Sequence, residues 1–386
     1  MVPSLETREA SLGEIAWVFL KLGTTAFGGP AAHLAMMEEE FVRRKRWIGQ
    51  PEFLDRLAAA NLIPGPSSTE VAIFVGQLKR GWRGLVVAGC CFILPAALIV
   101  SIIAWAYVRY GSLPRAEGVL YAVKPAVVAI LVQALGTMGR TALRSVPLAL
   151  IAVLSATLSC LGIQPVLVLL FAGLIATALR AGPSHLLSVA MGGMQKVVGL
   201  PMLFAAIVTA GAASPVRVGR LFVSFLKVGS VVFGSGYVLL AFLHSEFVER
   251  LHWLTERQLI DAVAVGQFTP GPLFTTATFI GFLLAGWLGA VVATVGIFLP
   301  GFLLVAVGGP LLPRLRRSAL AAAGLDGVVA GSLALMAVVA WQLGKASLTD
   351  WTTLAVFGAS LVALLALRPN SAWVVAAAAL LGWVTH

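Results

Sequence analysis

Charge is what this sequence has least of. Lys, Arg, Asp and Glu make up 11% of its 386 residues, against about a quarter in soluble domains, which excludes a water-soluble globular chain. Cysteine is nearly missing. The three present, Cys90, Cys91 and Cys160, lie in apolar segments with neither disulfide-framework nor metal-ligand spacing, and read as small apolar packers. No GxSxG, HExxH or Walker A sequence occurs, and His33, His185, His244, His252 and His386 do not cluster as ligands. The expectation is a chain that is no enzyme, holds no metal or cofactor and hydrolyses no ATP. Basic residues outnumber acidic ones, 27 to 16, but no basic-aromatic platform accompanies them, so nucleic acid is not an expected partner. Residues 1–15 carry Glu6, Arg8, Glu9 and Glu14 and lack an apolar core, so no cleavable signal peptide is expected.

Apolar sequence is what is abundant, at 59% with a mean hydropathy of +0.97. That is a polytopic membrane protein in contact with lipid. It is also a duplication. Pro64-Gly65-Pro66 returns as Pro270-Gly271-Pro272, 206 positions on, and residues 19–66 align with 225–272 without a gap at 18 identities in 48. Phe19-Leu20-Lys21 matches Phe225-Leu226-Lys227, Glu40-Phe41-Val42 matches Glu246-Phe247-Val248, Trp47 matches Trp253 and Asp55 matches Asp261. A helix-breaking Pro-Gly-Pro inside apolar sequence, once per copy, points to a binding site built from broken helices.

Along the chain, 13–27 is apolar and breaks at Gly28-Gly29-Pro30. The stretch 31–46 ends in charge, and helices at 51–62 and 67–79 flank Pro64-Gly65-Pro66. Each piece is shorter than the roughly 20 residues that cross a bilayer, so two re-entrant hairpins are expected, with kinked spanning helices as the alternative. Spans come next at 84–108 and 117–139, with shorter runs at 146–161 and 164–180. The second copy repeats the order at 218–233, 236–250, 257–269, 272–285, 288–310, 319–341, 352–367 and 371–385. One extra apolar segment, 197–213, has no counterpart, and an odd insertion inverts the copy after it.

Loop charge tests the inversion. Lys79, Arg80 and Arg83 face an uncharged 282–289, and Arg140 and Arg144 face a lone Lys345. Arg314, Arg316 and Arg317 outweigh Arg109 and Arg115. Cytoplasmic loops are enriched in Lys and Arg, which puts 38–46, 79–83, 140–144 and 314–317 inside; Arg217 and Arg220 count against it. The fold class expected is an all-α polytopic membrane protein of two inverted-topology repeats with broken, re-entrant hairpins. The division expected is 1–180 for the first repeat, 181–216 for a linker with the extra segment, and 217–386 for the second repeat.

Lys21 and Lys227 are the sharpest pair, because a lysine inside a membrane segment is costly and faces a cavity or a partner. They read as anion-attracting charges on a transport path, or else as snorkelling or structural ion pairs. The helix starts after the breaks, Ser67, Ser68 and Thr69 and then Thr275 and Thr276, offer amides, a favourable dipole and hydroxyls to an anion, or merely cap their helices. Gly28, Gly29, Gly234 and Gly236 let backbone approach a ligand, as do Pro64, Gly65, Pro66, Pro270, Gly271 and Pro272 at the breaks themselves. Asn61 and Gln267 match three residues before each break. Lys124 is a second candidate cation. Glu70, matched by Thr276, is a candidate proton-coupling carboxylate or an ion-pair partner for Lys21 or Lys124. Asp55, Asp261, Glu40 and Glu246 read as structural, and Trp47 and Trp253 as interface anchors. Mid-membrane acids are too few for a cation site, so the residues reach a small oxyanion.

Phe19-Leu20-Lys21-Leu22-Gly23, Phe27-Gly28-Gly29-Pro30 and Asn61-Leu62-Ile63-Pro64-Gly65-Pro66 resemble the chromate ion transporter family. So do Phe225-Leu226-Lys227-Val228-Gly229, Phe233-Gly234-Ser235-Gly236 and Gln267-Phe268-Thr269-Pro270-Gly271-Pro272. The resemblance covers nearly the whole chain and matches the long, two-domain form. It implies a secondary transporter that exports chromate across the bacterial inner membrane and confers chromate resistance, with sulfate as the natural analogue and competitor. A sulfate or oxyanion uptake transporter and an anion channel are the alternatives; the coupling ion and a homo-oligomer stay open. Phe-Gly-Ser-Gly replaces Phe-Gly-Gly-Pro in the second copy, so the copies need not contribute equally.

Overall fold

Proline and glycine punctuate a chain that is otherwise helical. The computed structural model describes residues 10–27, 29–61, 63–111, 114–181, 218–233, 236–308, 318–367 and 369–385, and has no strand among them. The extra segment at 197–213, Gly28, Gly234, Arg217 and Arg314–Arg317 lie outside the described residues.

The first repeat opens with α1 (Leu12–Thr25), then α2 (Gly29–Glu38) with a π-helical turn Glu39–Arg44, α3 (Gln50–Ala60) and α4 (Ser67–Tyr110). The second opens with α8 (Val218–Val231), α9 (Leu239–Leu243) with a π-helical turn His244–Arg250, α10 (Glu256–Phe268) and α11 (Thr276–Gly308). The likeness extends to detail. Arg46 and His252, 206 apart, both take a left-handed backbone, φ 52° and 53°. The Trp47 amide donates to Phe41 O at 2.8 Å, and the Trp253 amide to Phe247 O at 2.9 Å.

α4 is one helix only by name. Its backbone is non-helical at Arg80-Gly81, as is that of α11 at Ala285-Gly286. The chain folds back there: Gly76 lies against Gly84 and Ala88, and Gly281 against Gly289 and Ala293, so closely that a methyl on either glycine would strike backbone. Each helix is therefore a short limb returning from a break and a long limb, 82–110 or 287–308. At 1.5 Å per residue the long limbs run about 43 and 33 Å, enough for a hydrocarbon core of about 30 Å. The kinks are 205 apart, not 206, so the second copy has lost one residue between its Pro-Gly-Pro and Gly281.

The short pieces are re-entrant. Lys45 Nζ reaches Glu14 Oε1 at 2.9 Å, joining the start of α1 to the end of the π turn. Gln50 Nε2 donates to Glu38 Oε1 at 3.0 Å, and Arg80 Nε donates to Ala10 O at 2.6 Å. The outer ends of both hairpins and the α4 kink thus gather on one side, as two hairpins entering from that side require. The second repeat has the matching contact, His244 Nε2 to Glu256 Oε1 at 3.3 Å, at the positions of Glu38 and Gln50.

The remaining helices are α5 (Pro114–Ala142), α6 (Val146–Cys160) and α7 (Pro165–Ala181) in the first repeat. Their counterparts are α12 (Ala319–Ser347), α13 (Trp351–Ala366) and α14 (Ser371–Thr385). α4, α5, α11 and α12 are long and apolar enough to cross a membrane. The pairs are exchanged: α6 and α7 pack on α12, α13 and α14 on α5, and α5 on α12.

Two contacts give the repeats' relative direction. Gln77 Nε2, beside the first kink, donates to Ala306 O at 3.4 Å, near the far end of the second long limb. The Phe302 ring packs over Gly89. The two kinks therefore lie at opposite ends of an antiparallel pair of spans. Corresponding spans run antiparallel only if the two-fold relating them lies in the membrane plane, and the repeats are inverted.

Candidate functional site

The four breaks meet. Gly65 N donates to Val232 O at 2.8 Å, and Gly271 N donates to Ala26 O at 2.8 Å. The contact is isologous, as in a two-fold dimer: each Pro-Gly-Pro tip binds the first break of the other repeat. Only a residue without Cβ fits either tip. Gly65 has φ 136° and Gly271 φ 88°; a methyl on Gly65 would overlap the Glu70 carboxylate, and one on Gly271 would lie 2.7 Å from Ala96 Cβ.

Side chains close the junction. His33, buried on α2, places Nε2 3.1 Å from Ala26 O and Nδ1 3.3 Å from Ser68 Oγ. A carbonyl only accepts, so Nε2 carries the proton and Nδ1 accepts from the Ser68 hydroxyl. Ala26 O thus receives both the Gly271 amide and His33, tying three breaks together. Tyr237 pairs with Gln267, and its hydroxyl would lie 3.3 Å from a methyl on Gly29. Ser67 Oγ donates to Asn61 Oδ1 at 2.9 Å across the first Pro-Gly-Pro. Thr275 and Thr276 spend their hydroxyl protons on Pro272 O and Leu273 O, 2.8 Å each.

Glu70 is the one carboxylate at the junction among the described residues. It is buried against Gly65 of its own break, and a methyl on Gly301 of the other repeat would lie 2.7 Å from its Oε1. Its Oε2 has no hydrogen-bond partner among the described residues, and the same is true of Thr69 Oγ1 and Gln267 Nε2. Buried polar atoms are almost always paired; three of the eleven that lack a hydrogen-bond partner among the described residues lie around this junction. The counterpart of Glu70 is Thr276 at a spacing of 206 and Thr275 at 205, uncharged either way.

The lysines fall elsewhere. Lys227 is buried, with Nζ 2.9 Å from Glu246 Oε2; Gln164 of the α6–α7 turn and Pro165 and Val166 at the start of α7 line a cavity of about 20 Å³ beside it. Lys21 is exposed and makes no ion pair among the described residues, while Arg44 holds Glu40 at 2.8 Å. Lys124 lies 3.6 Å from Asp261 Oδ1, and the Tyr107 hydroxyl donates to Asp261 Oδ2 at 2.9 Å. Asp261 thus joins the second repeat to two helices of the first, and Glu70 pairs with neither lysine proposed for it. Asp55, the repeat partner of Asp261, is exposed. Sequence reasoning missed His33, because Leu239 stands at its place in the second copy, and Tyr237, because Ala31 stands at its place in the first. No group of three or more His, Cys, Asp or Glu able to hold a metal occurs among the described residues.

A family model described as chromate transporter matches residues 13–177 and again 219–383, 206 apart at both ends. A probable chromate transport protein of Synechococcus elongatus is 32% identical over 347 residues, 89% of this chain and 87% of the relative. Chromate transport proteins of Cupriavidus metallidurans and Pseudomonas aeruginosa are 33% and 32% identical over 383 and 378 residues. These cover 97% and 95% of this chain, and 94% and 90% of the relatives. No solved structure gives a significant match.

Proposed function

The chain belongs to the chromate transporter family, and from that premise we propose that it is a secondary transporter exporting chromate across a bacterial inner membrane, with sulfate as a competing analogue. The observation that carries this reading is the reciprocal pair of bonds between tips, Gly65 to Val232 and Gly271 to Ala26. Irregular backbone at membrane depth is tolerated where it is buried or lines a cavity. A crossing of four such breaks, with unpaired polar atoms around it, is a place for a small polar solute rather than a packing solution.

In this reading the anion takes the first-turn amides after each break, at Ser67–Ser68 and Leu273–Phe274, which have no carbonyl partner within their helices. The glycines at 28, 29, 234 and 236 let it approach the backbone, and Asn61, Gln267, Ser68 and Thr69 supply polar contacts. A dianion leaving water meets a large desolvation cost that oriented amides and nearby cations offset. Lys21, exposed and without an ion-pair partner among the described residues, is the cation that meets it; Lys227 and Lys124 already have carboxylates. Glu70, the one carboxylate at the junction among the described residues, is the coupling group, as intramembrane carboxylates mark proton relays in transporters.

Anion flux into and out of proteoliposomes under an imposed pH gradient tests this. Chromate flux driven by the gradient, competed by sulfate and less by phosphate, is expected. Gradient-independent flux at channel rates, or transport of sulfate alone, would overturn it.

A further inference from the structure

The two repeats match in their inner faces and differ in what covers them. Phe41 and Phe247 are both buried, as are Glu40 and Glu246. Four other matched pairs are unequal. Leu54 is 50% exposed and Ile260 1%; Asp55, Asn61 and Lys21 are exposed where Asp261, Gln267 and Lys227 are buried. The cover over the second repeat is specific. α10 packs on α5, α12 and α14, α9 packs on α12, and the α6–α7 turn closes over Lys227. In the first repeat, α3 packs chiefly on α4. α5 and α12 are themselves counterparts, so the scaffold that encloses α8–α10 has the helices to enclose α1–α3.

Building on the transport reading, we propose that Lys21 and Lys227 take their counter-ions in alternation, with Glu246 and Glu40 as the carboxylates that hold them when no anion does. In the enclosed half, Glu246 holds both Lys227 and Arg250, the counterpart of Arg44, with Arg250 Nη2 2.5 Å from Oε1 and Lys227 Nζ 2.9 Å from Oε2. In the other half, Arg44 retains Glu40, and Lys21 stands clear for a dianion. Exchange of the two conformations, which inverted repeats permit, buries Lys21 against Glu40 and frees Lys227 on the opposite side. Loop charge puts the open half toward the cytoplasm. Each lysine then pairs with its own carboxylate or with cargo, never with bulk hydrocarbon, which limits the desolvation cost at every stage. Glu40 and Glu246 act through the lysines and are positioning residues.

Accessibility of single cysteines in the full chain tests this. With Cys90, Cys91 and Cys160 replaced by Ala, Leu54→Cys and Ile260→Cys are labelled with a membrane-impermeant maleimide in inside-out and right-side-out vesicles, and chromate flux is measured in the same vesicles. At rest, Leu54→Cys is expected to react from the cytoplasmic side and Ile260→Cys from neither. Chromate with a pH gradient should lower the first and raise the second, from the opposite side, by about tenfold, the scale on which a minor state becomes the major one. Glu246→Gln should raise Ile260→Cys labelling without chromate. If that variant does not accumulate, the neutral pair Lys227→Gln with Glu246→Gln reads the same shift. Chromate flux with static labelling overturns the alternation and leaves the transport reading standing. Leu54→Cys that reacts only after dilution to one copy per vesicle also overturns it, because a second copy then covers that face. Absence of chromate flux in the parent overturns the transport reading and the alternation with it.

Discussion

The Gly65 amide donates to the Val232 carbonyl at 2.8 Å, across the boundary between two halves of one chain. Its mirror, Gly271 to Ala26, makes the pair a seam rather than a chance contact, with a positive-φ glycine at each tip.

Substitution at the seam is accordingly expected to be costly. Gly65→Ala places a methyl on Glu70 and forces φ 136°, a combination of strain and overpacking worth about 2–5 kcal/mol. Gly81→Ala, with φ 57°, ψ −145° and nothing within 4 Å of the new methyl, carries backbone strain without overpacking and should cost about 1–3 kcal/mol. Thermal unfolding in detergent should separate the two, and equal losses would show that the tip is not a tight junction.

The two repeated lysines should part company. Removing Lys227 leaves Glu246 buried with Arg250 as its one cation among the described residues, and Lys227→Gln is expected to lower stability by about 3 kcal/mol or more. Lys21→Gln, exposed and without an ion-pair partner among the described residues, should fold as the parent does and lose chromate flux. Melting temperature and flux measured on both variants check this; parent-level flux in Lys21→Gln would remove that lysine from the path.

Asp261 offers a third contrast. Lys124→Met strands a buried carboxylate and is expected to cost about 3–5 kcal/mol, while Lys124→Met combined with Asp261→Asn recovers much of it. Asp55→Asn, on the exposed counterpart, should change stability by less than about 0.5 kcal/mol. A double-mutant cycle reads the coupling directly.

Glu70→Gln keeps the shape and removes the titrating group. Protein yield and melting should match or exceed the parent, since a buried carboxylate with Oε2 lacking a partner among the described residues adds little stability. Flux driven by a pH gradient should fall by about tenfold or more, while chromate exchange without a gradient persists. Equal gradient response in variant and parent would place coupling elsewhere.

Distance along the chain decides which features the sequence reveals and which it hides. The duplication, the re-entrant hairpins and the inversion are legible because Pro-Gly-Pro, short apolar pieces and loop charge are local signals. The one-residue loss after the second break is legible too, since Gly76, Gly81, Gly84 and Pro95 align with Gly281, Gly286, Gly289 and Pro300 only at 205. The unequal fates of Lys21 and Lys227 are not legible. Both come after Phe-Leu, and what buries one is the α6–α7 turn, some sixty residues away. The Lys124–Asp261 pair joins opposite repeats, and no periodicity links such positions. His33 escapes because a search for matched residues passes over one whose counterpart is leucine.

The seam also imposes an order on synthesis. A ribosome delivers Gly65 and Ala26 long before Val232 and Gly271 exist, so the first hairpins enter the bilayer with the Gly65 amide unmatched, with Ala26 O held by His33 alone and with Lys124 awaiting Asp261. Chains larger than a single small domain fold through such incomplete intermediates. Here the intermediate is polar at its centre, where hydrocarbon tolerates it least, and so it must be held by water or by the insertion machinery until the second half arrives. Each half is the other's last folding step.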